Sequence, residues 1–265
     1  MKTRLLFTLA LLACSCSPLT SNELWQYDVT GPVKEITLHS DTLALPWTAS
    51  FDRSGHLTKM TIFNFDGSEQ SVRSYTYNLR KQVTKASGLF APGEPETYHI
   101  YKYDGAFVKE CTAYDMDDKE VYRWVSENDG KHIVRTEYYY KGELQYTADK
   151  VFTDSSYRAE SHTPDGVLNG FADVEFYKVE EKPTHIISND GEITIKYDEN
   201  GLPVMSQGAV VNSVGTLQWP EDLAIYPCRY YSYEFDERCN WITRYERKEP
   251  DSPEAIVLKR TIIYY

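Results

Sequence analysis

The chain has 265 residues, with 28 Lys and Arg against 40 Asp and Glu, for a formal charge of −12. An acidic protein repels nucleic acid and anionic headgroups, so no nucleic-acid partner is expected. The length is ample for a core in one elongated domain or two halves of one architecture, and 22 Tyr, 10 Phe and 5 Trp make the chain aromatic-rich.

Lys2 and Arg4 precede an apolar run, Leu5 to Ala13 (LLFTLALLA), which ends at Cys14. The run is too short to span a bilayer and has the charged start and apolar middle of a secretory signal. Leu11-Leu12-Ala13-Cys14 resembles a bacterial lipobox. The resemblance implies cleavage after Ala13 and lipid on Cys14, with residues 1–13 as signal peptide. Cys16, preceded by Ala13, Cys14 and Ser15, makes the poorer lipobox. Losing Lys2 and Arg4 with the signal lowers the charge by two, to −14. Residues 14–26 form a polar tether of the flexible kind. Its first acidic residue is Glu23, and the missing acidic run directly after Cys14 favours the periplasmic face of the outer membrane over the cell surface.

From residue 27 to 265 the chain reads as nearly all β. Bulky residues two apart lie on one face of a strand, and an Asp or Asn often follows them: Ala49/Phe51 before Asp52, Phe63/Phe65 before Asp66, Tyr75/Tyr77 before Asn78. Tyr101/Tyr103 before Asp104, Ile195/Tyr197 before Asp198 and Tyr233/Phe235 before Asp236 continue the series. The Asp or Asn can bond the backbone two residues on and open a turn. Gly55 and Gly201 come three residues after Asp52 and Asp198, where a type I turn with a bulge needs a left-handed backbone. Cys239 and Lys81 stand at that place after Asp236 and Asn78. PDGV at 164–167 and NDGE at 189–192 are shorter hairpin turns. No long apolar stripe at helical spacing is present.

The pattern aromatic-x-aromatic-Asp-x-x-Gly-x-apolar resembles the YD repeats of RHS-type proteins, and the whole chain resembles small Gram-negative lipoproteins built of such hairpins. YEFDERCNWITRYE with RTIIYY is the most specific part, and Asp115 to Lys182 matches poorly. The resemblance implies successive antiparallel hairpins in an extended twisted sheet or partial shell, without enzymatic activity. Such a meander leaves two open edges. The terminal KRTIIYY, with Ile262 and Tyr264 facing one way and Ile263 and Tyr265 the other, reads as an inserted or covered strand.

Chemistry-bearing motifs are sparse. The sequence has no Gly-x-Ser-x-Gly, His-Glu-x-x-His, phosphate-cradling loop or Cys-x-x-Cys. Six scattered histidines have no second His or Cys at i+2 or i+4, and no metal or cofactor is expected. YDMDDKE opens like a calcium loop, but Lys119 and a missing Gly make it a solvated turn. Cys111, Cys228 and Cys239 match no disulfide framework and are expected as free thiols. The less charged stretch from Gln207 to Pro227 interrupts the hairpins and carries Trp219. Trp219 and Trp241 are the candidate ligand-binding residues, for stacking on sugar rings. The expected function is a non-enzymatic, lipid-anchored envelope protein whose sheet meets an unknown envelope protein or a secreted toxin. A carbohydrate-binding surface protein and a hydrolase of envelope polymers are the alternatives.

Overall fold

A computed structural model describes residues 27–39, 45–89, 96–176, 182–189, 191–208, 210–211, 217–218, 228–253 and 256–265. The signal peptide, Cys14 and the tether lie outside them, as does Trp219. The strands are β1 (Val33–His39), β2 (Trp47–Phe51), β3 (Leu57–Phe63), β4 (Glu69–Tyr77), β5 (Val83–Leu89), β6 (Thr97–Asp104) and β7 (Phe107–Tyr114). They continue with β8 (Glu120–Asn128), β9 (Ile133–Tyr140), β10 (Glu143–Phe152), β11 (Ser156–His162), β12 (Leu168–Phe176), β13 (Pro183–Ser188) and β14 (Gly191–Tyr197). The last are β15 (Pro203–Gln207), β16 (Val210–Val211), β17 (Leu217–Gln218), β18 (Arg229–Phe235), β19 (Trp241–Arg247) and β20 (Ile256–Tyr264).

Hydrogen bonding places eighteen strands in one sheet, while β16 and β17 pair separately. β20 is antiparallel to both β19 and β1, so the last strand is joined to the first. The terminal segment is thus inserted, as its two-sided apolar pattern requires. Joining first and last strands is the topology of a β-barrel, and it corrects two expectations: the sheet is closed through its terminal strands rather than an open sheet or partial shell, and the chain is not a YD-repeat hairpin protein.

The chain divides into two compact units, residues 77–195 and residues 27–76 with 196–265. In the first, β6 to β13 run as a meander in which each strand pairs with the next. One face is covered: Ala86, Cys111, Ala113, Ala148, Ala159, Ala172, Val174, Ile186 and Ile193 are at most 3% exposed. The other face is charged. Lys102 and Glu110, Arg135 and Asp149, and Arg158 and Asp173 are direct cross-strand partners and pair at 2.6, 2.9 and 2.8 Å. In the second unit, Ile36, Leu38, Trp47, Ala49, Phe51, Met60, Trp241 and Leu258 form the core. The opposite face is polar, with Thr37 bonded to Thr48 at 3.1 Å and His39 to Thr261 at 3.0 Å.

Among the described residues one turn recurs seven times. At Asp52, Asn64, Asn78, Asp115, Thr163, Asp198 and Asp236 the backbone N–H donates to the carbonyl four residues on, and the residue three on donates back. That third position has positive φ every time: Gly55, Gly67, Lys81, Asp118, Gly166, Gly201 and Cys239. In five of the turns the Asp or Asn oxygen also accepts the N–H groups two and four residues on. In FNFDG the expected opener, Asp66, is displaced by Asn64, because Gly67 fixes which residue lies three before it.

Candidate functional site

A polar cluster of the second unit lies where the β18–β19 turn meets β20 and the segment before β1. Asp236 directly follows β18, and its Oδ1 accepts the N–H groups of Arg238 and Asn240, each at 2.9 Å. Its Oδ2 accepts the Tyr264 hydroxyl. Asn240, 1% exposed, donates from Nδ2 to Tyr264 Oη at 2.7 Å and to the Thr30 carbonyl at 3.0 Å. Its Oδ1 accepts the Thr30 N–H at 2.7 Å. Arg260 is buried and donates to the carbonyls of Trp241, Tyr27 and Asp28, the last two at 2.5 and 3.1 Å. Its guanidinium lies 3.6 Å from the centre of the Trp241 ring, and that of Arg238 lies 4.1 Å from the Tyr264 ring.

The electrostatics follow from burial and bonding. Burial draws Arg260 down to about 9, against the opposing pull of Asp28, Tyr264 and Asp236, so it stays protonated at neutral pH. Burial pushes Asp236 up, but the Tyr264 hydroxyl and the two turn N–H groups outweigh it and leave its carboxyl below the usual range. Tyr264 is raised by burial and then by its bond to Asp236. An open cavity of about 470 Å³ adjoins the cluster, lined by Asp236, Arg238, Ile242, Thr261, Ile262 and Tyr264 among others.

Chemically the cluster is spent on the chain. Both Asp236 oxygens accept, all three Arg260 nitrogens donate to carbonyls, and Asn240 uses both ends of its amide. Trp241 is 4% exposed and covered by Arg260, which corrects its expected role as a sugar-stacking surface residue.

The first unit holds an aromatic row. Tyr122 and Trp124 stack at 5.4 Å and 6°, Trp124 and Tyr138 at 6.5 Å and 27°, and Tyr138 and Tyr146 at 5.0 Å and 21°. His99 Nε2 lies 2.7 Å from the Tyr122 hydroxyl, and burial pushes that hydroxyl up to about 12. All four rings are half-buried. At these spacings the ring faces cover one another, so the row is cross-strand packing more than a flat platform.

The Asp115 carboxylate of YDMDDKE accepts the N–H groups of Asp117 and Lys119, each at 2.9 Å. Cys111, Cys228 and Cys239 are free thiols, buried, half-buried and exposed in turn. No group of three or more potential metal ligands occurs among the described residues. Sequence reasoning missed Arg260. The signal was its register: Leu258, Arg260, Ile262 and Tyr264 share one face, so an arginine there points into a core and needs acceptors.

No family model matches the chain, and no curated protein matches it. Solved structures with a similar arrangement include a porin-like protein from Bacteroides uniformis ATCC 8492, 14% identical, over 89% of this chain and 98% of that one, with a TM-score of 0.42. A porin-like protein from Bacteroides vulgatus ATCC 8482 is 8% identical over 88% of this chain and 98% of that one, with a TM-score of 0.30. TcdB2-TccC3-TEV is 11% identical over 83% of this chain and 15% of that one, with a TM-score of 0.27.

Proposed function

We propose that the chain is a non-enzymatic protein of the bacterial envelope, attached through lipid on Cys14 and offering its sheet to a protein partner, another envelope protein or a secreted toxin. The observation that carries this reading is the polarity of the strands' two faces. A membrane-spanning barrel turns a bare apolar band toward lipid. Here the apolar face is covered by protein and the uncovered face carries ion pairs. Attachment therefore falls to the segment before Tyr27, and the lipobox resemblance supplies the means. For the partner, the support is a cross-strand row on the charged face. Val151, Arg158, Asp173 and Ile187 are successive register partners, and Val151 and Ile187 are 71% and 42% exposed. Apolar side chains flanking an arginine suit a protein interface.

Fatty-acid labelling with fractionation tests the attachment. Wild type is expected to incorporate label and sediment with membranes, whereas Cys14→Ser loses the label and is recovered in the soluble fraction. A Cys14→Ser protein that stays in the membrane through alkaline extraction refutes the reading. Protease shaving of intact cells then assigns the leaflet, with protection expected until the envelope is opened.

A further inference from the structure

We propose that residues 27–31 are a strap that controls opening of the seam between β1 and β20. The seam pairs Ile36 with Ile262, Leu38 with Arg260 and His39 with Lys259, and its register slips between Val33 and Glu35, at the end where the strap enters. The strap is built differently from the strands. Its carbonyls at Tyr27 and Asp28 are held by Arg260, and both backbone groups of Thr30 are held by the Asn240 amide. These are side-chain clamps and not a β-ladder, so they can be undone without unpairing a strand. Tyr27 and Val29 are 5% and 4% exposed, with the Tyr27 ring set edge-on to Trp47 at 5.6 Å and to Phe51 at 5.3 Å. The junction to β1 is Gly31, with φ of +92°, followed by Pro32. That left-handed glycine can swing the segment through its own dihedrals while β1 stays in place.

The coupling runs through Arg260. With the strap seated, the guanidinium is buried and bonded at every nitrogen. With the strap lifted, two nitrogens of a buried cation lose their acceptors, and the residue is better accommodated by turning toward water. Arg260 stands opposite Leu38 in the seam, so its departure loosens that pairing. By reciprocity, anything that opens the seam weakens the hold on the strap. The device does not depend on lipid at Cys14.

Hydrogen exchange read by mass spectrometry on the full chain in detergent tests this. In Tyr27→Ala, and more mildly in Asn240→Asp, the amides of residues 35–39 and 261–264 should exchange faster by on the order of tenfold or more, with those of β6 to β12 unchanged. An unchanged seam overturns the proposal, as does faster exchange spread evenly over both units. Loss of the whole fold in either variant also overturns it, because a releasable strap leaves the sheet standing.

Discussion

The recurring turn makes a prediction with opposite signs at equivalent places. Its fourth residue is left-handed whether or not it is glycine: φ is +84° at Gly67 and +83° at Gly166, but also +62° at Lys81 and +60° at Cys239. A Cβ added at Gly67 or Gly166 would meet nothing within 4 Å, so replacing either glycine by alanine costs only the backbone conformation. That conformation costs an L-residue about 1–2 kcal/mol. The stiffer unfolded chain of the alanine variant returns about 0.4–1 kcal/mol. Gly67→Ala and Gly166→Ala should each therefore destabilise by about 0.5–1 kcal/mol, a fall in Tm of about 1–4 °C for a chain of this size. Cys239→Gly and Lys81→Gly should raise Tm by a similar amount, with Asp118→Gly raising it less because Asp tolerates this region better. Thermal unfolding followed by circular dichroism reads all five. If Cys239→Gly lowers Tm while Gly67→Ala leaves it unmoved, the left-handed requirement is not what selects these residues.

Three further outcomes are expected. Arg229 and Glu246 pair at 2.8 Å with side chains 15% and 7% exposed; Glu246→Gln leaves a largely buried cation without its partner and should cost about 3 kcal/mol in urea unfolding, with a double replacement by apolar residues costing less. Asp66, Asp129 and Asp236 titrate below their ordinary 3.8, so the stability they add is complete above that value and is lost as pH falls through their lower folded values. Tm should be level from neutral pH down to about 5 and drop below about 4, less steeply in Asp236→Asn, which keeps a turn acceptor as Asn78 does. Deleting Thr261 to Tyr265 removes four of the six β1–β20 register pairs and the Tyr265 bond to the Phe51 carbonyl; unchanged thermal unfolding would sink the claim that the strand closes the sheet.

What could be read from the sequence was what is local. Asp52, Asn78, Asp198 and Asp236 open turns as their spacing to the left-handed residue demands, and Lys81 and Cys239 keep that geometry without glycine, because hydrogen bonds within five residues decide it. The slip at FNFDG has the same origin: Gly67 outranks the aromatic-Asp pair, and Asp66 is left to bind the Ser68 N–H and hydroxyl. Closure was invisible because it joins Val33 to Tyr264, residues with nearly the whole chain between them, and a strand's own pattern does not say which strand flanks it. Trp241 looked like a surface ring because alternation gives a residue's face but not which face is covered. Arg260 covers this one, and its own inward register was the clue passed over.

The charged face also decides how such a sheet can live in an envelope. Within the first unit it carries Lys102, Glu110, Arg135, Asp149, Arg158, Glu160 and Asp173. Set against the middle of a bilayer, each lysine or arginine would cost about 2–4 kcal/mol, with the carboxylates adding less. Pairing recovers part of that, yet the remainder is of the order of the whole stability of a domain, about 5–15 kcal/mol. In water the same pairs are worth roughly 0–1 kcal/mol each and keep the face hydrated. Neither sum is improved by turning the sheet around, since the other face is covered by protein rather than bare. On the proposed attachment through lipid on Cys14, strands with this surface add no hold on the bilayer, and the loss of that single thiol should be enough to set the whole protein free.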